Sequence, residues 1–219
     1  MQTGERMFFA GGFTVDYLIS LLYSIPAVLI ALCFHEYAHA WMANKLGDPT
    51  AKNMGRMTID PTKHLDLIGT ICMLLFRFGW AKPVPINPRN FKKPKRDEIL
   101  VSVSGVAMNL LVAFVAYGIY FVARYNGLQN EIFYNIVYPV VTLNIFLAVF
   151  NILPIPPLDG FHIVSALFIK RSNKVIEFLY RFGFIILIVL LLFGVISQLF
   201  VLIANPILYA FGSFYALFV

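Results

Sequence analysis

Long apolar runs alternate with short polar ones along the chain. A helix needs roughly 20 apolar residues to cross the hydrocarbon core of a bilayer. Four runs are near or above that length, and they cover residues 7–34, 99–123, 136–153 and 178–203. The first run contains Pro26. We expect it to make one crossing, either as one long helix bent at Pro26 or as a shallow segment followed by a helix from about 26 to 44.

Three other stretches have a different character. Residues 65–78 are apolar but too short to span comfortably, and they are predicted to be re-entrant or interfacial. The apolar tail at 206–219 follows Pro206 and is also predicted to be too short to cross. Residues 160–177 are predicted to be amphipathic.

The composition agrees with a membrane protein. The chain is 60% hydrophobic and 13% charged, whereas soluble domains average about 45–50% and about 25%. We find no internal repeat, no linker and no room for an extra soluble domain. The sequence therefore predicts an all-α multi-span membrane protein, a helix bundle of four or more spans. It forms a single domain over residues 1–219, with a core at 25–165 and a C-terminal span and tail at 178–219.

The positive charge is concentrated in one loop. The net charge is +6, and eleven of the seventeen Lys and Arg residues lie within residues 45–98. By the positive-inside rule this loop is cytoplasmic and the loop at 124–135 lies outside. No nucleic-acid partner is expected, because the basic run at 92–96 is interpreted as facing anionic lipid. Cys33 and Cys72 lie in apolar runs and support no redox site.

The stretch His35-Glu36-Tyr37-Ala38-His39 contains a candidate metal site. Two histidines four residues apart on a helix project from one face, so both imidazoles can reach one metal ion. Glu36 lies between them, where a carboxylate can take a proton from water. This H-E-x-x-H pattern is typical of zinc hydrolases, with two ligands and a general base in five residues. The apolar run before it indicates a site at or below a membrane surface.

A second stretch, from Asn151 to Gly160, follows the apolar run at 136–153. This run and the one that carries His35 are both predicted to run inward, so their ends are expected at similar depth. Three prolines prevent a regular helix here, and irregular backbone at membrane depth is tolerated where it packs in protein or lines a wet cavity. Because a catalytic zinc takes three protein ligands, Asp159 is the candidate for the third.

Together the two stretches resemble the motifs of the site-2 protease family of intramembrane zinc metalloproteases. That family has an H-E-x-x-H on one core helix and an N-x-x-P-x-x-P-x-D-G on another. The chain is similar to the compact members that lack a regulatory PDZ domain. The resemblance implies one Zn²⁺ per chain, bound by His35, His39 and Asp159, with Glu36 as the catalytic base. It also implies that Asn151 steadies the developing oxyanion.

Two further segments resemble parts of the same family. Residues 104–109 are similar to its G-P-x-x-N segment, with Val106 in the place of proline. Residues 79–85 are similar to its loop of extended strands, which implies a short extended hairpin or re-entrant loop near the active site. The resemblance implies that both segments contact the substrate. The residues concerned are Gly79, Pro83, Val84, Pro85 and Asn109. For Asn109 the alternative is a polar residue that packs between helices.

The resemblance implies hydrolysis of a peptide bond in or near a transmembrane segment, as in regulated intramembrane proteolysis. The partners expected are a transmembrane protein substrate and the lipid bilayer, and the sequence indicates no oligomeric state. The protein is expected to be a multi-pass cell-membrane protein with its active site toward the cytoplasmic side. Two alternatives remain: a membrane zinc-binding or transport protein, and a catalytically silent homologue that binds membrane helices. The intact Glu36 and the lack of inverted repeats argue against them.

Three other polar residues have structural interpretations. Asn144 lies seven residues before Asn151 on the same helix face, and it is interpreted as an interhelix hydrogen bond. His64 is expected near the membrane surface with a structural role. His162 lies three residues after Asp159 and is interpreted as lying beside the metal or at the membrane interface.

Overall fold

The computed structural model describes residues 14–66, 68–69, 81–168 and 174–218. Within these ranges the chain forms seven α-helices and three 3₁₀ turns, and no strand. The helices are α1 (Val15–Lys45), α2 (Thr50–Asn53), α3 (Pro94–Tyr125), α4 (Glu131–Asn151), α5 (Asp159–Phe168), α6 (Lys174–Leu192) and α7 (Val195–Tyr215). The 3₁₀ turns are Pro61–Lys63, Pro88–Asn90 and Ala216–Phe218.

Five helices in the described ranges are long and apolar enough to cross a membrane: α1, α3, α4, α6, and α7 with its terminal turn. Their outward-facing side chains remain apolar. Leu111, Val115 and Ile119 of α3, for example, are each more than half exposed. Such a surface is costly in water and suited to lipid. The prediction of an all-α multi-span membrane protein is confirmed.

Helices α1, α3 and α4 pack on one another to form the core of the bundle. Small residues lie where the helices meet, including Ala27 of α1, Ala113 of α3 and Ala204 of α7. Small side chains let helix backbones approach closely in a membrane, where close packing drives helix association. Val141 and Ile145 of α4 are fully buried beside them.

Helix α1 is continuous through Pro26. Its N-terminus is capped by Thr14, whose hydroxyl accepts a hydrogen bond from the Tyr17 N–H at 3.2 Å. Of the two alternatives for the first crossing, the structure has the single long helix, while residues 7–13 lie outside the described part. His35 is therefore about three turns from the end of α1.

The C-terminal helices differ from the prediction. One span over 178–203 and a short tail at 206–219 were expected, but α6 ends and α7 begins at Gly194, and α7 continues through Pro206. Gly194 has a φ of 70°, a left-handed conformation that glycine adopts without steric cost. A single glycine in an apolar run gives no polar signal of a turn, and proline is tolerated inside membrane helices. The predicted boundaries are wrong for these two reasons.

Aromatic contacts give the direction of α7. Phe200, near its start, packs on Phe146 in the second half of α4, with ring centroids 5.6 Å apart. Phe211, near its end, packs on Tyr117 in the second half of α3, with centroids 5.9 Å apart. Helix α7 therefore runs antiparallel to α4 and parallel to α3.

Helices α5 and α6 follow the end of α4. The first part of the predicted amphipathic stretch at 160–177 is helical in α5, and residues 169–173 lie outside the described part. Tyr180 of α6 packs edge-on against Phe161 of α5, with centroids 5.0 Å apart. Helix α6 thus lies beside the turn that carries Asp159.

The described part of the loop between α1 and α3 packs on the last turns of α1. The predicted re-entrant stretch at 65–78 lies almost wholly outside the described residues. Leu65 and Ala81 form an isolated antiparallel bridge. The Lys82 N–H also donates to the His64 carbonyl at 2.8 Å. These two contacts place Ala81 and Lys82 directly beside His64 and Leu65.

Candidate active site

Two histidines of α1 and the first residue of α5 meet inside the bundle. The Nε2 atoms of His35 and His39 lie 2.9 Å apart. Asp159 Oδ2 lies 3.3 Å from each of them. Both histidines are only 6% exposed. The structure thus brings together the three residues that the sequence nominates as ligands, with their ligand atoms within 4.8 Å of one another.

The hydrogen bonds of the two imidazoles define which ring nitrogen carries the proton. His35 Nδ1 lies 2.7 Å from Asn109 Oδ1. His39 Nδ1 lies 2.8 Å from the Val101 carbonyl oxygen. Because both partners are oxygen acceptors, each Nδ1 carries the ring proton. Each Nε2 then presents a lone pair toward Asp159.

A chain of buried amides determines the orientation of Asn109. Its Nδ2 donates to the Ala31 carbonyl at 3.0 Å and to Asn144 Oδ1 at 2.9 Å. Asn144 Nδ2 in turn donates to the Val140 carbonyl at 2.8 Å. Since carbonyl oxygens only accept, both amides are held in one orientation, and Asn109 Oδ1 faces His35. The interpretation of Asn144 as an interhelix hydrogen bond is confirmed.

This donor set fits a metal cation. The two Nε2 atoms and Asp159 Oδ2 are all acceptors, and Oδ2 is buried without a hydrogen bond among the described residues. Converging buried acceptors without a donor are unfavourable. A cation between them removes that conflict. Two imidazole nitrogens and one carboxylate are also a typical set of three protein ligands for catalytic zinc.

Glu36 is held by the backbone of a distant segment. The Val84 N–H donates to Glu36 Oε2 at 2.8 Å. Glu36 is 8% exposed and Val84 is 7% exposed, so the contact is largely shielded from solvent. The carboxylate oxygen Oε1 makes no hydrogen bond within the described ranges.

A cleft of about 1210 Å³ opens beside these groups. Its walls come from α1, the segment around Val84, the first half of α3, α5 and α6. Asn151, the residue predicted to steady the oxyanion, lines this cleft together with the three candidate ligands and Glu36. Arg89 and Lys95 also line it, so cations stand in the wall of the cleft.

The predicted substrate-contacting residues occupy different environments. Pro83 and Val84 line the cleft, whereas Pro85 is half-buried beside them. Asn109 is fully buried, and its bond to His35 places it behind the metal site. Gly79 lies outside the described residues.

The two other histidines have separate positions. His64 is fully buried, and its Nε2 lies 2.7 Å from the Thr58 carbonyl oxygen, a contact within the loop between α1 and α3. This contact agrees with the expected structural role of His64. The side chain is buried inside the loop between α1 and α3. His162 is exposed and lines the cleft one turn beyond Asp159.

The sequence reasoning missed the role of Gly105. A Cβ atom at this position would lie 2.5 Å from His39 Cε1 and 2.6 Å from His35 Cε1. Only a residue without a side chain allows α3 to pass so close to both imidazoles. The signal that could have found it is a glycine within an apolar helix, which indicates close packing at that position. Gly105 also lies in the segment 104–109 that resembles the family.

Comparison with known proteins agrees with this geometry. The model of "Peptidase family M50" matches residues 122–190. "Putative zinc metalloprotease YwhC" of Bacillus subtilis is 40% identical over 185 residues, which cover 80% of this chain and 82% of the relative. The chain belongs to peptidase family M50.

More distant relatives extend the M50 assignment. "Putative zinc metalloprotease Rip2" of Mycolicibacterium smegmatis is 24% identical over 85% of this chain and 73% of its own length. "Zinc metalloprotease MJ0392" of Methanocaldococcus jannaschii is 24% identical over 89% of this chain, which spans 50% of that longer relative. No solved structure matches the chain.

The M50 membership accounts for the site. The protein is a multi-pass intramembrane zinc metalloprotease, associated with the lipid bilayer through its apolar helices. Zinc is the metal, and the cluster of His35, His39 and Asp159 has the chemistry to hold it.

Proposed function

We propose that this M50 peptidase cleaves a peptide bond in or near a transmembrane segment of another membrane protein, in regulated intramembrane proteolysis. The observation that carries the proposal is the convergence of His35, His39 and Asp159 beside Glu36, in a cleft among membrane helices. A substrate helix must unwind locally in this cleft, because a helix engages its carbonyls in its own hydrogen bonds.

The roles of the residues follow from their contacts. His35, His39 and Asp159 hold the zinc, which when bound supplies a Lewis acid that polarises a carbonyl and lowers the pKa of water. Glu36 takes the proton from the attacking water and returns it to the leaving amine. Asn151 donates a hydrogen bond to the oxyanion, and one such donor contributes about 2.7–4 kcal/mol in other hydrolases.

In this proposal the other site residues orient the metal ligands or contact the substrate. Asn109 and the Val101 carbonyl keep the Nδ1 protons in place, so that the two Nε2 atoms remain available to the metal. Pro83 and Val84 contact the substrate from the wall of the cleft.

The active site is proposed to face the cytoplasm. The loop at 45–98 follows the end of α1 in the sequence and holds eleven of the seventeen Lys and Arg residues. The Lys45 ammonium also lies 4.1 Å from the ring centre of Trp41, an aromatic and cationic pair suited to a membrane interface.

A comparison of cleaved termini tests the proposed function. Membrane proteins from cells expressing the parent or Glu36→Gln are compared by mass spectrometry of their new termini. The parent is expected to generate termini within or next to transmembrane segments, and Glu36→Gln is expected to retain zinc but generate none. Glu131→Gln is a matched control, since this exposed carboxylate lies at the start of α4.

The outcomes separate the competing functions. Cleavage by Glu36→Gln at the parental rate would refute the base assignment. Zinc in the parent without any new terminus would favour the zinc-binding or transport alternative.

A further inference from the structure

A short extended segment passes beside Glu36 and is held by buried side chains from distant parts of the chain. Arg56 Nη2 donates to the carbonyl oxygens of Lys82 at 2.6 Å and Pro83 at 3.1 Å. The next residue, Val84, donates its N–H to Glu36. We call residues 82–87 the strap.

The sequence of the strap limits how many backbone N–H groups can donate to Glu36. Pro83 and Pro85 have no N–H, so Val84 provides the one N–H among these three residues. A residue before proline is also restricted to extended backbone, and this applies to both Lys82 and Val84. The strap therefore presents a single backbone donor at a defined point.

Arg56 is an unusual residue to find in this position. Its side chain is buried, with 7% exposed, and it forms no ion pair with any described residue. A buried guanidinium is costly unless its donors are used. Its Nη2 donates charge-assisted hydrogen bonds to two successive carbonyls, whereas its buried Nε has no partner among the described residues. Because those carbonyls immediately precede Val84, the guanidinium determines where the Val84 N–H lies.

We propose that Arg56 is a positioning residue for the general base. By holding the carbonyls of Lys82 and Pro83, it places the Val84 N–H on Glu36 Oε2 and so orients the carboxylate toward the cleft. This inference rests on the proposed function, because it assigns Arg56 a role in the step that Glu36 performs.

A double-mutant cycle tests whether Arg56 acts through Val84. Arg56→Met removes the clamp, and Val84→Pro removes the donor while preserving extended backbone. A misplacement of about 1 Å in an active site can lower the rate by about 100-fold, so each variant is expected to lower kcat about 10- to 100-fold. In Arg56→Met, which alters no side chain of the cleft wall, KM is expected to change less than about 3-fold. The double variant is expected to be no slower than the slower single variant, since both remove the same contact.

Two further readouts separate positioning from general stabilisation. Zinc content is expected to be unchanged in Arg56→Met, because no ligand is altered. Hydrogen exchange of the peptide that contains Val84 is expected to be faster than in the parent, and this measurement needs no substrate. Arg56→Lys keeps a cation that can reach one carbonyl, so its kcat is expected to lie between that of Arg56→Met and that of the parent.

Lys52→Gln alters an exposed cation four residues before Arg56 and is expected to match the parent in kcat and exchange. Parental kcat in Arg56→Met, additive effects in the cycle or unchanged exchange at Val84 would each overturn the inference. Where Arg56→Met does not fold, Arg56→Lys carries the same comparison. A parent that cleaves nothing would instead refute the proposed function.

Discussion

The four-residue spacing of two histidines on a helix is not enough to make both imidazoles face the same point. A ring can rotate, and its proton can lie on either nitrogen. In this protein Asn109 and the Val101 carbonyl hold the Nδ1 protons of His35 and His39. The partners come from α3, so the α1–α3 packing aims the two Nε2 atoms at Asp159.

Replacement of Asn109 tests this at a single residue. Asn109→Ala removes the acceptor from His35 Nδ1, and loss of such an outer partner lowers metal affinity by about 10- to 100-fold in other sites. We expect zinc affinity, measured by competition with a chromophoric chelator, to fall within that range. Asn126→Ala is the control, because Asn126 is exposed and bonds only within its own turn. Unchanged affinity in Asn109→Ala would contradict the orienting role.

Gly105 gives a sharper test of the same packing. A Cβ atom there would lie 2.5 Å from an atom of His39, a distance that requires a shift of α3 or of the imidazole. Gly105→Ala is therefore expected to lose most of its bound zinc, as measured by atomic emission on purified protein. Val103→Ala is the matched control on the exposed face of the same helix. Full zinc occupancy in Gly105→Ala would show that the helices can separate without loss of the site.

At the scale of elements, a buried carboxylate docks the far end of the strap. Asp48 follows α1 and is fully buried. Its Oδ2 accepts from the Asn87 N–H at 2.7 Å, and its Oδ1 accepts from Asn90 Nδ2 at 2.7 Å and from the hydroxyl of Thr50. Burial alone would raise the pKa of Asp48, but these hydrogen bonds outweigh it and hold that pKa below its ordinary value.

The sign of this shift gives a pH prediction. Because the pKa is lower in the folded state, Asp48 stabilises the fold above its unfolded pKa of about 3.9, and the contribution is lost as the pH falls through the folded pKa. Asp48→Asn is expected to lower the free energy of unfolding at pH 7 by about 1.5–3 kcal/mol. The difference from the parent is expected to shrink as the pH falls below about 4. Denaturant unfolding in detergent at several pH values measures both effects.

The control for this prediction is Asp16→Asn, an exposed residue in the first turn of α1. It is expected to change the free energy of unfolding by less than about 0.5 kcal/mol. A difference between Asp48→Asn and the parent that stays constant down to pH 3 would contradict the assignment.

The elements also show what a sequence can and cannot predict. The H-E-x-x-H spacing lies within one helix, so local geometry is enough to nominate His35 and His39. The proline turn nominates Asp159 in the same local way. Arg56 and Asp48 act through contacts with residues far away in the chain, and no local pattern distinguishes them. For Gly105 the sequence indicates close packing, but not that the partners are the imidazoles of α1. The turn at Gly194 was not predicted, because it interrupts an apolar run without a charged residue at the turn.

At the scale of the whole molecule, the helix directions determine which segments lie at each end of the bundle. Helix α7 runs antiparallel to α4, so the end of α4 and the start of α7 lie at the same end of the bundle. The loop between α3 and α4 lies at the opposite end from the metal site. The charge pattern supports the proposal that the metal-site end faces the cytoplasm.

Cysteine accessibility tests this orientation. Lys52→Cys and Gly127→Cys, both at exposed positions, are placed in a background with Cys33 and Cys72 replaced by serine. In intact cells a membrane-impermeant maleimide is expected to label Gly127→Cys and to leave Lys52→Cys unlabelled until the cells are opened. The reverse pattern would turn the active site to the outside.

The metal site is divided unequally between two parts of the bundle. The imidazoles belong to α1 and their Nδ1 atoms contact oxygens of α3, while the carboxylate enters from α5 after a run of prolines. All three groups nevertheless lie within 4.8 Å of one another in this arrangement. Loading of a chelator-stripped chain with zinc is therefore expected to be a local event that needs no refolding of the bundle.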